Sequence, residues 1–253
     1  MRECGVVLAG GLGTRLLPLT TSINKHLLPV YDEPMIFKSI STLQQMGIED
    51  VMVVLGGNSG DAFFHLLGDG SRFGMEIRYA YQEVPGGIGE ALRLTKNFVG
   101  ERRFAVILGD NIFRDDMTEQ WKEFLTDQEH ECYLFLKEVN DPESFGIAWL
   151  NAEGRIINME EKPKKPDSNL AITGLYFYSP RVFGMVEETL EKKGYSSRGE
   201  LEITDVNEAF LELGLSKGIH FTGHWADCGT IEALHETSNL MKHWNMGQWL
   251  RPV

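Results

Sequence analysis

The 253-residue sequence predicts an α/β fold built on a doubly wound, mixed sheet. Three observations carry that prediction. Short apolar runs alternate with helical patterns through residues 1–110. Those runs are continuous, as in strands covered on both faces, and helical connections between them force parallel pairing. Beyond residue 110, strand-like segments lie closer together and some are joined by hairpin-like turns.

Cys4–Ala9 reads as a first buried strand, and Gly10–Ser22 as a glycine- and threonine-rich loop. Pro34 opens a helix whose apolar residues Ile36, Ile40, Leu43 and Met46 fall at three- and four-residue steps, with Gly47 ending it. Val51–Leu55 is a second strand, Ser59–Leu67 a short helix, Glu76–Tyr81 a third strand, Ile88–Phe98 a helix and Phe104–Leu108 a fourth strand. The second half offers strands at Glu131–Glu138, Phe145–Leu150, Ile156–Met159 and Leu170–Tyr178, with a turn at Asn151–Gly154. Helices follow at Pro180–Lys192, Thr204–Leu213 and Thr230–Lys242. Lys162–Pro166 is a charged, proline-containing ordered loop. There is no internal repeat, so the chain reads as a single domain over residues 1–253, with halves at 1–110 and 111–253.

Composition excludes several functions. Lys plus Arg is 24 against 37 Asp plus Glu, a net charge of −13. A broad clamp on a nucleic-acid backbone needs clustered cations and is not expected. An anionic ligand must be small and held by a local cluster that opposes the global sign. Cys4, Cys132 and Cys228 are odd in number and far apart, which fits neither a disulfide framework nor a zinc site and points to a reducing compartment. The apolar run Val6–Ala9 is too short for a signal peptide, and no segment reaches the ~20 apolar residues of a membrane span. The expected location is the cytoplasm, with no membrane partner.

The loop Gly10-Gly11-Leu12-Gly13-Thr14-Arg15 directly follows the first strand. Ligands in doubly wound sheets bind beyond the carboxyl ends of strands, and glycines there let backbone N–H groups approach phosphate oxygens. The loop is neither G-x-x-x-x-G-K-[ST] nor G-x-G-x-x-G. It carries Arg15 and is followed by Lys25, two cations suited to a triphosphate whose pyrophosphate end leaves. On position and composition alone, a solvated surface turn is the other reading. Asp110 after the fourth strand is either a turn or capping residue or a Mg²⁺ ligand, and Asp227 is a second carboxylate at a strand end. The amide of Gln82 matches the imide edge of thymine or uracil. Gly86 and Gly89 read as a helix-capping turn. Glu161-Lys162 ends a strand, either as a solvated pair or as a hydroxyl acceptor beside a phosphate cation. His220 and His224 read as one strand, same-faced and too far apart to share a metal.

Leu8-Ala9-Gly10-Gly11-Leu12-Gly13-Thr14-Arg15-Leu16-Leu17-Pro18-Leu19-Thr20 and Lys25-His26-Leu27-Leu28-Pro29-Val30-Tyr31-Asp32-Glu33-Pro34-Met35-Ile36 resemble the sugar-phosphate nucleotidyltransferase family, and within it the glucose-1-phosphate thymidylyltransferases. Leu67–Ser71, Leu108–Phe113, Glu160–Pro163, Thr173–Tyr178 and Arg198–Asp205 extend the resemblance, in order, along nearly the whole chain. It implies a Rossmann-like fold of the nucleotide-diphospho-sugar transferase type, with residues 1–110 as the nucleotide-binding half and 111–253 as a strand-rich sugar-phosphate-binding half. It implies transfer of a thymidylyl group from dTTP to glucose 1-phosphate, giving dTDP-glucose and pyrophosphate, with Mg²⁺ held by Asp110 and Asp227.

The resemblance assigns the nucleotide to Leu8, Gly10, Gly11, Gly13, Thr14, Arg15, Lys25, Gln82 and Gly87. It assigns the sugar phosphate to Asp110, Gly146, Glu161, Lys162, Ile172, Tyr176 and Arg198. Catalysis falls to Arg15, Lys25, Asp110 and Lys162. The sequence departs from the family at Cys228, where threonine is usual after the aspartate, and at Gly86 and Gly89, where bulkier residues are common; the latter bears on base selectivity. Rival expectations are a uridylyltransferase, a transferase acting on another sugar 1-phosphate, and a non-catalytic nucleotide-sugar sensor. The sensor should have lost charge at Arg15, Lys162, Asp110 or Asp227, and all four are present. A homo-oligomer is expected by resemblance. The chain closes at Trp249–Val253, so feedback through the helical extension of longer thymidylyltransferases is not expected.

Overall fold

A computed structural model describes residues 2–57 and 59–244. The chain-end residues Trp249–Val253 therefore lie outside the described residues. The strands are β1 (Cys4–Ala9), β2 (Pro29–Val30), β3 (Glu33–Pro34), β4 (Asp50–Gly56), β5 (Glu76–Gln82), β6 (Phe104–Leu108), β7 (Asn111–Phe113), β8 (Cys132–Glu138), β9 (Gly146–Leu150), β10 (Ile156–Glu161), β11 (Leu170–Tyr178), β12 (Ser216–His220) and β13 (Trp225–Asp227). The helices are α1 (Met35–Gln45), α2 (Gly60–Leu67), α3 (Gly87–Arg93), α4 (Lys96–Val99), α5 (Thr118–Thr126), α6 (Val182–Lys193), α7 (Ile203–Glu212) and α8 (Ile231–His243). The architecture is α/β with a mixed sheet, as the sequence predicts. It divides into two compact units, formed by the described parts of Met1–Pro85, Val106–Thr118 and Gly223–Val253 and by Gly86–Ala105 and Glu119–Thr222.

In the first unit β1 pairs β4 in parallel, Cys4 opposite Asp50, and β4 pairs β5 in parallel, Asp50 opposite Glu76. β6 flanks β1 on its other side. Every residue of β1 is buried, which accounts for its unbroken apolar run. β5 differs from expectation: Ile77 is buried between exposed Glu76 and Arg78, as suits the last strand of the sheet. α1 packs on β1 so closely that a Cβ on Gly5 would stand 2.8 Å from Leu43 Cδ1. It ends where Gly47, at φ +80°, lets its own N–H and that of Ile48 reach the Gln44 and Leu43 carbonyls.

In the second unit β11 lies antiparallel between β8 and β9, β10 pairs β9, and β12 runs parallel to β8. Phe177 of β11 anchors an aromatic core, its ring 5.0 Å from those of Trp121 and Phe135. The predicted turn after β9 forms, with Gly154 at φ +77° and its N–H on the Asn151 carbonyl.

The single helix predicted over Ile88–Phe98 is two, α3 and α4. The Thr95 hydroxyl donates to the Leu92 carbonyl at 2.7 Å and competes with the helical ladder. His220 ends β12 and His224 precedes β13, so the two histidines do not share a strand, contrary to expectation. The three cysteines are all buried and none is in a disulfide.

Candidate functional site

The ends of β1, β4, β5 and β6 place the first group of predicted residues together. Leu8 is buried in β1, and its carbonyl accepts from Gly109 N at 2.9 Å. The glycine loop then bends over the Lys25 side chain. A Cβ on Gly11 would meet Lys25 Cε at 2.9 Å, and one on Gly13, itself at φ +65°, would meet Lys25 Cβ and Thr20 Cγ2 at 2.9 Å. Only glycine allows this approach. The Thr20 hydroxyl donates to the Gly13 carbonyl at 2.7 Å and closes the loop. Thr14 and Arg15 begin a short 3₁₀ turn and are exposed. Gln82, at the end of β5, stands against Gly10: a Cβ there would lie 2.9 Å from Gln82 Oε1.

Lys25 forms an ion pair with Asp110. Asp110 follows β6 and is buried, and its carbonyl accepts from Cys228 N at 2.9 Å. β7 and β13 pair with Asn111 opposite Asp227, which brings the second carboxylate to the same place. Gly229 sits between Asp227 and Arg15, since a Cβ on it would be 3.2 Å from Asp227 Oδ1 and 2.7 Å from Arg15 Nη2. Two cations and two carboxylates thus converge in an acidic molecule.

Their electrostatics diverge. Burial alone would raise Asp110, but the Lys25 ammonium overrides it and holds the carboxyl well below the usual range. Burial and the charge of Asp110 push Asp227 up to about 6. Asp227 therefore carries a negative charge its surroundings disfavour, and a dication beside the pair would relieve that. Oxygen-only donors of this kind fit Mg²⁺, which takes one or two carboxylates and fills its remaining positions with waters and phosphate oxygens. Among the described residues no group of three or more His, Cys, Asp or Glu forms a cation site. Burial pushes the Cys228 thiol up to about 12, so it is no thiolate nucleophile.

The second unit holds the other group. Glu161 ends β10 opposite Gly146 of β9. A Cβ on Gly146 would lie 2.7 Å from Thr204 Oγ1 and 3.2 Å from Glu161 Oε2. The Thr204 hydroxyl donates to Glu161 Oε2 at 2.6 Å, and Arg198 Nη2 donates to Glu161 Oε1 at 3.1 Å. Arg198 is also held by Glu202 at 2.7 Å. Lys162 turns out of the strand at φ +47°, with its N–H on the Phe145 carbonyl at 2.9 Å and its ammonium 3.2 Å from Glu161. Ile172 and Tyr176 bracket a register shift in β11, both buried, and Tyr176 stacks on Tyr178 at 5.7 Å. Gly87, at φ +87°, lies in this unit against Glu200 and Leu201.

Sequence reasoning assigned no role to Asn24, His26, Gly56, Gly109, Thr204 or Glu202. His26, Gly109, Glu202 and Thr204 lie in the motifs Lys25–Ile36, Leu108–Phe113 and Arg198–Asp205, which could have flagged them. Burial lowers the His26 imidazole to about 3, with the Lys25 charge acting in the same direction, so the ring is neutral.

Comparison with known proteins agrees with this chemistry. The family model for nucleotidyl transferases matches residues 4–243. A glucose-1-phosphate thymidylyltransferase of Neisseria meningitidis is 42% identical over 241 residues, covering 94% of this chain and 82% of that one. One from Mycolicibacterium smegmatis is 39% identical over 252 residues, covering 98% and 85%. A Bacillus anthracis protein assigned as a glucose-1-phosphate thymidylyltransferase and crystallised with sucrose superposes with a TM-score of 0.89 at 41% identity, covering 98% of both chains. A UDP-glucose pyrophosphorylase bound to UDP-glucose gives 0.80 at 26% identity, covering 96% of this chain and 99% of that one. Nucleotidyltransferases of this kind generally use a divalent metal. A match along nearly all of its length, joined to a glycine loop with paired cations and carboxylates, makes this chain a member of the nucleotidyl transferase family.

Proposed function

We propose that this chain transfers a thymidylyl group from dTTP to glucose 1-phosphate. The single observation that carries the reading is the convergence of Arg15, Lys25, Asp110 and Asp227 at the glycine loop. An oxygen of glucose 1-phosphate attacks the α-phosphorus in line, the bond from that phosphorus to the pyrophosphate oxygen breaks, and dTDP-glucose and pyrophosphate form. Both reactants are anionic, so the work is charge neutralisation and alignment, and no covalent intermediate is required.

In the first unit, backbone N–H groups of Gly10, Gly11, Gly13 and Thr14 approach the triphosphate. Arg15 stabilises the charge that develops on the leaving pyrophosphate, and Lys25 assists at the triphosphate. The Gln82 amide pairs with the imide edge of thymine, with Leu8 against the base; Gly87, which belongs to the second unit, is a base contact by the family resemblance alone. In the second unit, Glu161 accepts sugar hydroxyls beside Gly146, Ile172 and Tyr176. Lys162 holds the nucleophilic phosphate, and Arg198 binds it once drawn from its carboxylates. Residues 1–110 thus supply the nucleotide side and 111–253 the sugar-phosphate side. Asp110 and Asp227 would hold Mg²⁺, which when bound neutralises phosphate oxygens. Cytoplasmic residence and a homo-oligomer complete the reading, the first from three scattered cysteines that form no disulfide and the second from the family resemblance.

The test is pyrophosphate release by the full chain across four nucleotides and several hexose 1-phosphates, with Mg²⁺ and with chelator. Turnover should be highest with dTTP and glucose 1-phosphate. Preference for UTP, which Gln82 pairs equally well, would replace the base assignment. No release from any pair would remove the enzymatic reading.

A further inference from the structure

We propose that Asn24 and His26 are positioning residues, a clasp on either side of Lys25 that fixes its ammonium under the glycine loop and sets Asp110 at the end of β6. The proposal rests on the reading above for its catalytic consequence, and on the geometry of the first unit for the clasp itself.

Asn24 and His26 are both buried, at 8% and 1% exposure, while Lys25 between them reaches the site. Asn24 Oδ1 accepts from the His26 backbone N–H at 3.0 Å and from His26 Nδ1 at 2.7 Å, so Nδ1 carries the ring's hydrogen. The Asn24 amide turns the other way and donates to the carbonyls of Ala9 and Gly56, the last residues of β1 and β4, at 3.4 and 3.5 Å. The imidazole stands against Gly109, the residue between β6 and Asp110, where a Cβ would be 2.6 Å from His26 Cδ2. The ends of three strands, the start of the glycine loop and the stem of Asp110 are thus tied to one pair of side chains.

An ordinary turn cap explains part of this. Asn24 does cap the 3₁₀ turn Lys25–Leu27. A cap needs only the bond from His26 N, and does not account for an amide spread over two strands or a ring pressed on a third. The ion pair of Lys25 with Asp110 joins the two parts that the clasp holds. Displacing a charged group by an ångström is enough to lose catalysis while the ground-state complex still forms.

Two readouts on the same preparations test this. Trace acetylation of the free full-length protein, read by mass spectrometry, should label Lys25 slowly against exposed Lys164 and Lys165. Asn24→Ala and His26→Ala should each raise Lys25 labelling by at least ~3-fold. In turnover, both variants should lose roughly 10–100-fold in kcat with KM for dTTP and glucose 1-phosphate changed less than about 3-fold. His26→Ala should add nothing in a Lys25→Ala background. Unchanged Lys25 labelling in a variant that still unfolds cooperatively overturns the proposal, as does additivity with Lys25→Ala. If His26→Ala fails to fold, Asn24→Ala decides, since it keeps the ring. A wild-type protein with no turnover would defeat the functional reading while the labelling still decides the clasp.

Discussion

Arg15 is the exposed cation of the glycine loop, and Gly229 leaves room for its guanidinium near Asp227. On the proposed reading, removing it takes away a donor aimed at charge that appears as pyrophosphate leaves. Arg15→Ala should therefore cost about 10²–10³-fold in kcat, measured by pyrophosphate release at saturating substrates. Asp227 makes a different prediction. Its pKa in the fold, about 6, stands above the 3.8 usual for an aspartate, so the folded protein holds the proton more tightly than the unfolded chain. Stability from this residue is present below the lower value and is lost as pH rises through about 6. In chelator, Asp227→Asn should raise Tm at pH 7.5 and do so less at pH 4.5. A lowered Tm at pH 7.5 would show that the carboxylate is satisfied without a cation. The same variant should blunt the magnesium dependence of turnover.

At the scale of elements, β1 and α1 touch with no room to spare. Gly5→Ala would drive a methyl into Leu43 and Ile48, and chemical denaturation should show a loss of about 1–3 kcal/mol. The strands that lie in the core were legible because burial on both faces leaves an unbroken apolar run, as in Val6–Ala9 and Val51–Leu55. β7 and β13, three residues each, are too short to show any period, and they are what bring Asp227 beside Asn111 and Asp110. β12, Ser-Lys-Gly-Ile-His, carries little apolar pattern because it is only partly covered. The sequence reading also lacks α5, whose only apolar residues are Trp121, Phe124 and Leu125. The site follows the same logic. Arg15, Lys25 and Asp110 stand in motifs readable in one dimension. Asn24 stands outside those motifs, and the contact of His26 with Gly109, though both lie inside them, spans 83 residues of sequence and is recorded by no local pattern.

For the whole molecule, the charge of −13 sets how it meets other polyanions. The cations of the site are few and local, so duplex DNA should not be retained: in a filter-binding assay at physiological salt, Kd should be weaker than ~10⁻⁴ M. Retention in the micromolar range would reveal a basic surface that the sequence does not show. The three thiols have a further consequence. Cys4, Cys132 and Cys228 are each fully enclosed, two in strands and one beside Asp227. A maleimide dye should leave the native protein dark and light all three positions as the chain opens, so dye uptake becomes a clock for unfolding. It also means that one cysteine introduced on the exterior would be the sole handle for attaching a fluorophore.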